Sequence, residues 1–234
     1  PFQAEEILVR VETHLSLRKL QKRLKEAFGI YVAQEVRDEV LAGRIPLDGE
    51  MKDVTVLFAD LRDFTPLTES TPPKEVVRIL NGYFTEMAPA IHRHQGSILR
   101  YVGDEIYAVF GAPLSLNDHP NHAVEAALDM RRCLKVVNER LEQQGYAPLR
   151  QGIGIHSGRV VAANIGSPDR LSYDLVGDTV NLASRIQELT KMFSTDIIIS
   201  ATTRSRLHGD FDVEKVPAIT VKGKKDPVEV FKVL

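Results

Sequence analysis

Apolar positions along this chain fall into two regimes. From Glu5 to Phe28 they recur at helical spacing (Ile7, Leu8, Val11, Leu17, Leu20, Leu24 and Phe28), with Arg and Lys on the other faces. The pattern covers only about two heptads, so a short parallel coiled coil and a single amphipathic helix packed on its own domain both remain open. A second short helix, Val32 to Ala42, is expected to stop at Gly43, with Pro46 just beyond.

From about Lys52 the pattern changes. The run Val54-Thr55-Val56-Leu57-Phe58-Ala59 reads as a buried strand ending at Asp60. Pro72-Pro73 opens a long helix with Val76, Val77, Leu80, Phe84, Met87 and Ile91 on one face. Ser97 to Val102 and Glu105 to Phe110 read as hairpin strands about a two-residue Gly103-Asp104 turn. A second long helix is predicted over Asn121 to Gln144, then strands near Gly152–His156 and Val160–Ile165, and a helix from Thr179 to Lys191. Strands near Ile197–Ser200, Phe211–Val216 and Val228–Val233 close the chain. This order predicts an α+β fold: a ferredoxin-like or palm-type βαββαβ core with a central, mostly antiparallel sheet and an N-terminal helical segment. There is no internal repeat and no low-complexity tract.

Composition narrows the class. The 234 residues are 43% hydrophobic and 26% charged, as in a soluble globular protein, and the formal charge of -2 gives no field for nucleic acid or an anionic membrane. The lone cysteine, Cys133, forms no internal disulfide, which suits a reducing, cytoplasmic setting. No apolar run approaches the roughly 20 residues of a membrane helix. The first residues have neither signal-peptide regions nor an initiator Met, so a piece of a longer protein is expected.

Two carboxylates stand where a metal site needs them. Asp60 ends a central strand, and Asp104 lies on the tip of a hairpin expected to pair beside it. Together they would hold a pair of Mg²⁺ ions bridged by substrate phosphates, whereas each alone is an ordinary turn or cap residue. In the stretch Val176 to Arg185, Asp178 or Thr179 is expected to cap the helix. Asn181 and Arg185, four apart, share a face. An amide and a guanidinium so placed suit a ribose and a phosphate, or simply form a solvated polar stripe. His92/His94 and His119/His122 are pairs without a third metal ligand nearby in sequence, so neither is assigned a metal.

Four motifs carry a resemblance: Phe58-Ala59-Asp60-Leu61-Arg62-Asp63-Phe64-Thr65, Tyr101-Val102-Gly103-Asp104, Gly154-Ile155-His156-Ser157-Gly158 and Gly177-Asp178-Thr179-Val180-Asn181-Leu182-Ala183-Ser184-Arg185. In order and spacing they resemble the catalytic domain of class III nucleotidyl cyclases, over about Lys52 to Leu234. The Val-Gly-Asp before Thr-Val-Asn is similar to the subclass that includes bicarbonate-responsive cyclases. The resemblance implies a head-to-tail homodimer with sites at the interface and two ions, Mg²⁺ or Mn²⁺, per site. Asp60, Asp104 and the Leu61 backbone carbonyl would hold the metals in one chain. Asn181 (ribose), Arg185 (α-phosphate charge) and the base-reading pair Arg100 and Asp174 would come from the other. Arg170, with Lys222 or Lys224, would grip the β- and γ-phosphates.

Family members that use ATP commonly carry Lys where Arg100 stands, with Asp or Thr at Asp174; those that use GTP carry Glu and Cys. Arg offers only donors and ionised Asp only acceptors, matching adenine's N1 acceptor and 6-amino donor. Guanine reverses both edges, each buried mismatch costing about 1–3 kcal/mol. The expectation is an adenylyl cyclase. Rival readings are a guanylyl cyclase, a diguanylate cyclase (which the Arg100-to-Ile106 loop also resembles, with Glu105 as an active carboxylate) and an inactive nucleotide-binding dimerisation module. Residues Pro1 to Leu15 resemble the last strand-to-helix turn and final helix of a response-regulator receiver domain. The implied division is residues 1–30 for that helix and a signalling helix, 31–51 for a lead-in, and 52–234 for the catalytic domain.

Overall fold

The computed structural model describes residues 10–20, 49–167, 169–221, 223 and 226–234, with no description of the Arg170 side chain. Two compact units divide the chain, Pro1–Arg44 and Ile45–Leu234. In the first, residues 10–20 form helix α1, on which Val11, Leu15, Leu17 and Leu20 are exposed. The expected helix at 32–42 lies outside the described residues.

The second unit is built on an eight-stranded sheet. Its strands are β1 (Glu50–Arg62), β2 (Ser97–Val102), β3 (Glu105–Phe110), β4 (Arg150–Ser167), β5 (Arg170–Val176), β6 (Ile197–Ser200), β7 (Val213–Lys215) and β8 (Val230–Val233). The order is β2-β3-β1-β4-β6-β8-β7, with β5 paired to β4. Only β4 and β6 run parallel; every other named strand pair is antiparallel. The helices are α2 (Phe64–Ser70), α3 (Pro73–Arg93), α4 (His119–Gln143), α5 (Asp178–Met192) and the short α6 (Ala201–Arg204).

Alternation along the strands puts a core on each face of the sheet. Leu57, Ala59 and Leu61 of β1, with Ile197 and Ile199 of β6, join Tyr83, Met87 and Ile91 of α3 and Ala123, Ala127 and Met130 of α4. Ile198 points the other way, into Leu182, Ile186 and Leu189 of α5. Helices therefore cover both faces of the sheet.

The α5 face is shaped by glycine. A Cβ on Gly154 would lie 2.2 Å from the Gln187 backbone nitrogen, and one on Gly158 would lie 2.7 Å from Thr179 Oγ1. Bare backbone on β4 lets α5 lie directly on the sheet. A polar seam crosses the molecule beside it. His119 Nδ1, Thr55 Oγ1 and Ser157 Oγ are linked at 2.7 Å per step, and Ser157 continues at 3.1 Å to Thr203 Oγ1. Thr203 lies 3.0 Å from Ser200 Oγ, which meets His156 Nδ1 at 2.7 Å. All six residues are buried, and the mutual bonding is what makes their burial tolerable.

Several elements differ from expectation. The two strands read around Gly158 are one strand, β4, and β5 was not foreseen. Helix α2 was masked by Pro66. The buried face of α3 is Ile79, Tyr83, Met87, Ala90 and Ile91; Val77 is 56% exposed. Neither Asp178 nor Thr179 caps α5: the N-cap is Gly177, and the Thr179 hydroxyl donates to the Arg159 carbonyl at 2.8 Å.

Candidate active site

The Gly103-Asp104 turn forms as predicted, with Gly103 at φ 63°, a conformation L side chains rarely adopt. It places Asp104 beside the end of β1. The β1–β3 register reaches Ala59↔Ile106, and one step further sets Asp60 opposite Glu105. Asp60, on the opposite parity from Leu57 and Leu61, leaves the main core and faces the α5 side of the sheet.

The three carboxyl groups are electrically crowded. The Asp60 carboxyl is pushed up to about 7, first by burial, then by the charge of Asp104 and a hydrogen bond with it, then by the charge of Glu105. The Leu61 backbone amide opposes this by donating to Asp60. Glu105 is also raised, by burial and by Asp104, while Arg100 lowers it. Such crowding leaves positive charge wanting, and the all-oxygen donor set of Asp60, Asp104 and the Leu61 carbonyl suits hard divalent cations such as Mg²⁺ or Mn²⁺. Asp63, three residues on, belongs to another arrangement: it is ion-paired to Arg150.

The base-reading candidates, 74 residues apart in sequence, come together. Arg100 Nη2 donates to Asp174 Oδ2 at 2.5 Å, and Asp174 Oδ1 accepts from the Leu175 amide at 2.8 Å. The Arg100 guanidinium lies 5.4 Å from the centre of the Tyr107 ring, which stacks on Phe58 with centroids 4.6 Å apart. The result is an apolar aromatic shelf carrying a donor and an acceptor at its edge. Among the described residues the buried Tyr107 hydroxyl has no hydrogen-bond partner, a feature that spacing alone did not mark.

Asn181 is exposed and Arg185 half-buried on α5. The Arg185 guanidinium nitrogens lie 3.3 and 3.4 Å from where a Gly223 Cβ would be, so Gly223 approaches Arg185. Lys222 and Lys224 lie outside the described residues, as does the Arg170 side chain.

A sheet with helices on both faces, and paired carboxylates at a strand end and its neighbouring hairpin, is the architecture of nucleotide-cyclising catalytic domains. The chain belongs to the adenylate and guanylate cyclase catalytic domain family, whose model matches residues 48–233. It is 30% identical over 209 residues to Adenylate cyclase 1 of Rhizobium meliloti, covering 88% of this chain and 31% of that protein. The chain thus spans about a third of the length of that curated relative. Among solved structures it is similar to the guanylyl cyclase Cya2 (39% identity, TM-score 0.72, 79% of this chain and 93% of that one). It is similar also to the adenylyl cyclase CyaB from P. aeruginosa (31% identity, TM-score 0.74, 79% and 95%). Among the described residues no helix is long and apolar enough to cross a membrane.

Proposed function

We propose that the domain converts ATP to 3′,5′-cyclic AMP and pyrophosphate at the interface of a homodimer. The observation carrying the choice of ATP is the Arg100–Asp174 pair: donor and acceptor side by side on the Phe58–Tyr107 shelf. Arg100 donates to adenine N1 and Asp174 accepts from the 6-amino group, each giving up part of the mutual bond to do so. Asn181 orients the ribose, and Arg185 stabilises charge building on the α-phosphate. Arg170, with Lys222 or Lys224, holds the outer phosphates; the approach of Gly223 to Arg185 supports this part of the reading. Asp60, Asp104 and the Leu61 carbonyl hold two Mg²⁺ or Mn²⁺ ions. When bound, these supply charge that holds the triphosphate and lowers the pKa of the attacking 3′-hydroxyl.

Head-to-tail pairing is supported by apolar side chains left open near these residues. Tyr101 (44% exposed), Val102 (53%), Leu171 (53%) and Val176 (55%) lie on β2 and β5. The resemblance of residues 1–15 to a receiver-domain terminus supports phosphorylation control through the helix that follows. Equal cyclase activity of the full-length protein with and without receiver phosphorylation would refute that control.

The deciding experiment is product analysis with ATP and GTP in parallel, for the unmodified chain and for Arg100→Lys. ATP is the better substrate in both. A preference for GTP in the unmodified chain, as its similarity to Cya2 would favour, overturns the base-reading argument and makes the domain a guanylyl cyclase. Cyclic di-GMP would point to the diguanylate reading, and no product to an inactive module.

A further inference from the structure

Away from the carboxylate pair, the end of α3 meets the start of α4. There His94 faces His122 and Glu125, and one ligand atom from each lies within 4.8 Å of the other two. His122 and Glu125 are three apart on one helix and share its face. His94 comes from the C-cap of the other helix. Around a tetrahedral Zn²⁺, nitrogen and oxygen ligands at their usual bond lengths lie about 3.4 Å apart, so modest side-chain rotation closes this group.

The orientation of His94 carries the assignment further. Its Nδ1 faces Glu125 Oε2 at 3.2 Å, while its Nε2 is held by Asp129 Oδ2 at 2.9 Å. A histidine fixed by a carboxylate through one nitrogen and presenting the other to a donor cluster is the outer-shell arrangement of zinc sites. Asp129 is itself steadied by Arg93 and Arg132, both well exposed. His122 Nδ1 is buried and has no hydrogen-bond partner among the described residues, so part of this imidazole has given up water without a partner there.

We propose that His94, His122 and Glu125 form a binding site for Zn²⁺, or a similar borderline divalent cation, that ties the end of α3 to the start of α4. Two imidazoles and one carboxylate favour Zn²⁺ over the Mg²⁺ suited to the all-oxygen Asp60–Asp104 set, and they leave a fourth position for water. The site does not depend on the cyclase reading.

Co²⁺ is the probe, because its visible absorption reports tetrahedral coordination. Titration of the Asp60→Asn/Asp104→Asn protein, in which the carboxylate pair is disabled, should show one equivalent with intense visible bands, displaced by Zn²⁺. His122→Ala in that background should abolish the bands, and Asp129→Asn should weaken binding about 10–100-fold. Circular dichroism and a metal-free melting curve establish that each variant is folded; should His122→Ala not fold, Glu125→Gln, whose side chain is partly exposed, takes its place with the same expectation. Absence of the bands, or bands unchanged in a folded His122→Ala or Glu125→Gln variant, overturns the proposal.

Discussion

Gly154→Ala tests how the fold sets the active site. The new Cβ would meet the Gln187 backbone nitrogen at 2.2 Å, Gln187 Cα at 2.5 Å and the Ala183 carbonyl oxygen at 2.7 Å. Ordinary contact begins at 3.4 Å, and all three atoms are helix backbone, so no rotamer change relieves the clash. Helix α5 must retreat from β4 by roughly 1 Å, at an overpacking cost of about 1–3 kcal/mol. Arg185 is two residues from Gln187 and Asn181 lies at the start of the same helix, so both move with it. A displacement of about 1 Å costs on the order of 10²-fold in rate where geometry is critical. The assay pairs urea denaturation with turnover at a temperature where the variant is fully folded. Gly82→Ala is the control: nothing lies within 4 Å of that Cβ on α3, so the added methyl should stabilise by about 0.5–1 kcal/mol without loss of turnover. A folded Gly154→Ala protein with unaltered turnover would show that α5 does not position groups for the reaction.

Other outcomes follow from the same geometry. In the proposed head-to-tail dimer, Asp60→Asn and Arg185→Ala chains, each inactive alone, should regain about a quarter of wild-type activity when mixed equally, since half the dimers would be mixed and each would hold one intact site; no recovery argues against sites shared between chains. Because the Asp60 pKa is raised from 3.8 to about 7, the folded protein binds more protons than the unfolded chain between those values. Metal-free stability should therefore fall as pH rises through that window, and Asp60→Asn should reduce the slope in melting curves. Mg²⁺ affinity, followed by calorimetry, should rise across the same range as the competing proton leaves. His119 is the opposite case: burial lowers its pKa below 6.5, so the unfolded chain takes the proton first and stability declines as pH falls below about 6.5. His119→Gln should flatten that decline. Tyr107→Phe should be neutral or stabilising by up to about 1 kcal/mol, because it removes a buried hydroxyl without a partner among the described residues and keeps the Arg100 and Phe58 contacts; a loss beyond 2 kcal/mol in denaturant unfolding refutes this.

What could be read from sequence was local. The Gly103-Asp104 hairpin and β6 were visible because turn chemistry and an unbroken apolar run each decide their own neighbourhood. Gly158 misled for a related reason: glycine inside a strand pattern reads as a break, yet here it leaves room for Thr179 of α5, a contact set by packing. The helical face of α3 was rotated because Pro73–Arg93 packs against both the sheet and α4, so burial does not follow its simplest apolar stripe.

The same distinction runs through the chemistry. Motif spacing marked Asp60 and Asp104, with Glu105 beside them; the strand register and burial then show how the three carboxyl groups crowd and raise Asp60 toward neutrality. Family motifs singled out Arg100 and Asp174, and their side-chain chemistry allowed a pair; the strand pairing does not itself place them together, since β2 and β5 are not neighbours in the sheet, yet the two side chains meet. That bond changes the specificity argument. A free Arg is a long, adaptable donor; an Arg paired with Asp174 and laid over Tyr107 is more constrained, and its partner is oriented by the Leu175 amide. Fixing both groups means that a base presenting the wrong edge cannot be met by swinging Arg100 aside without also stranding Asp174. Under the proposed ATP reading, discrimination comes from the pair as a unit, and Asp174→Ala should relax the preference for ATP even though Arg100 is intact.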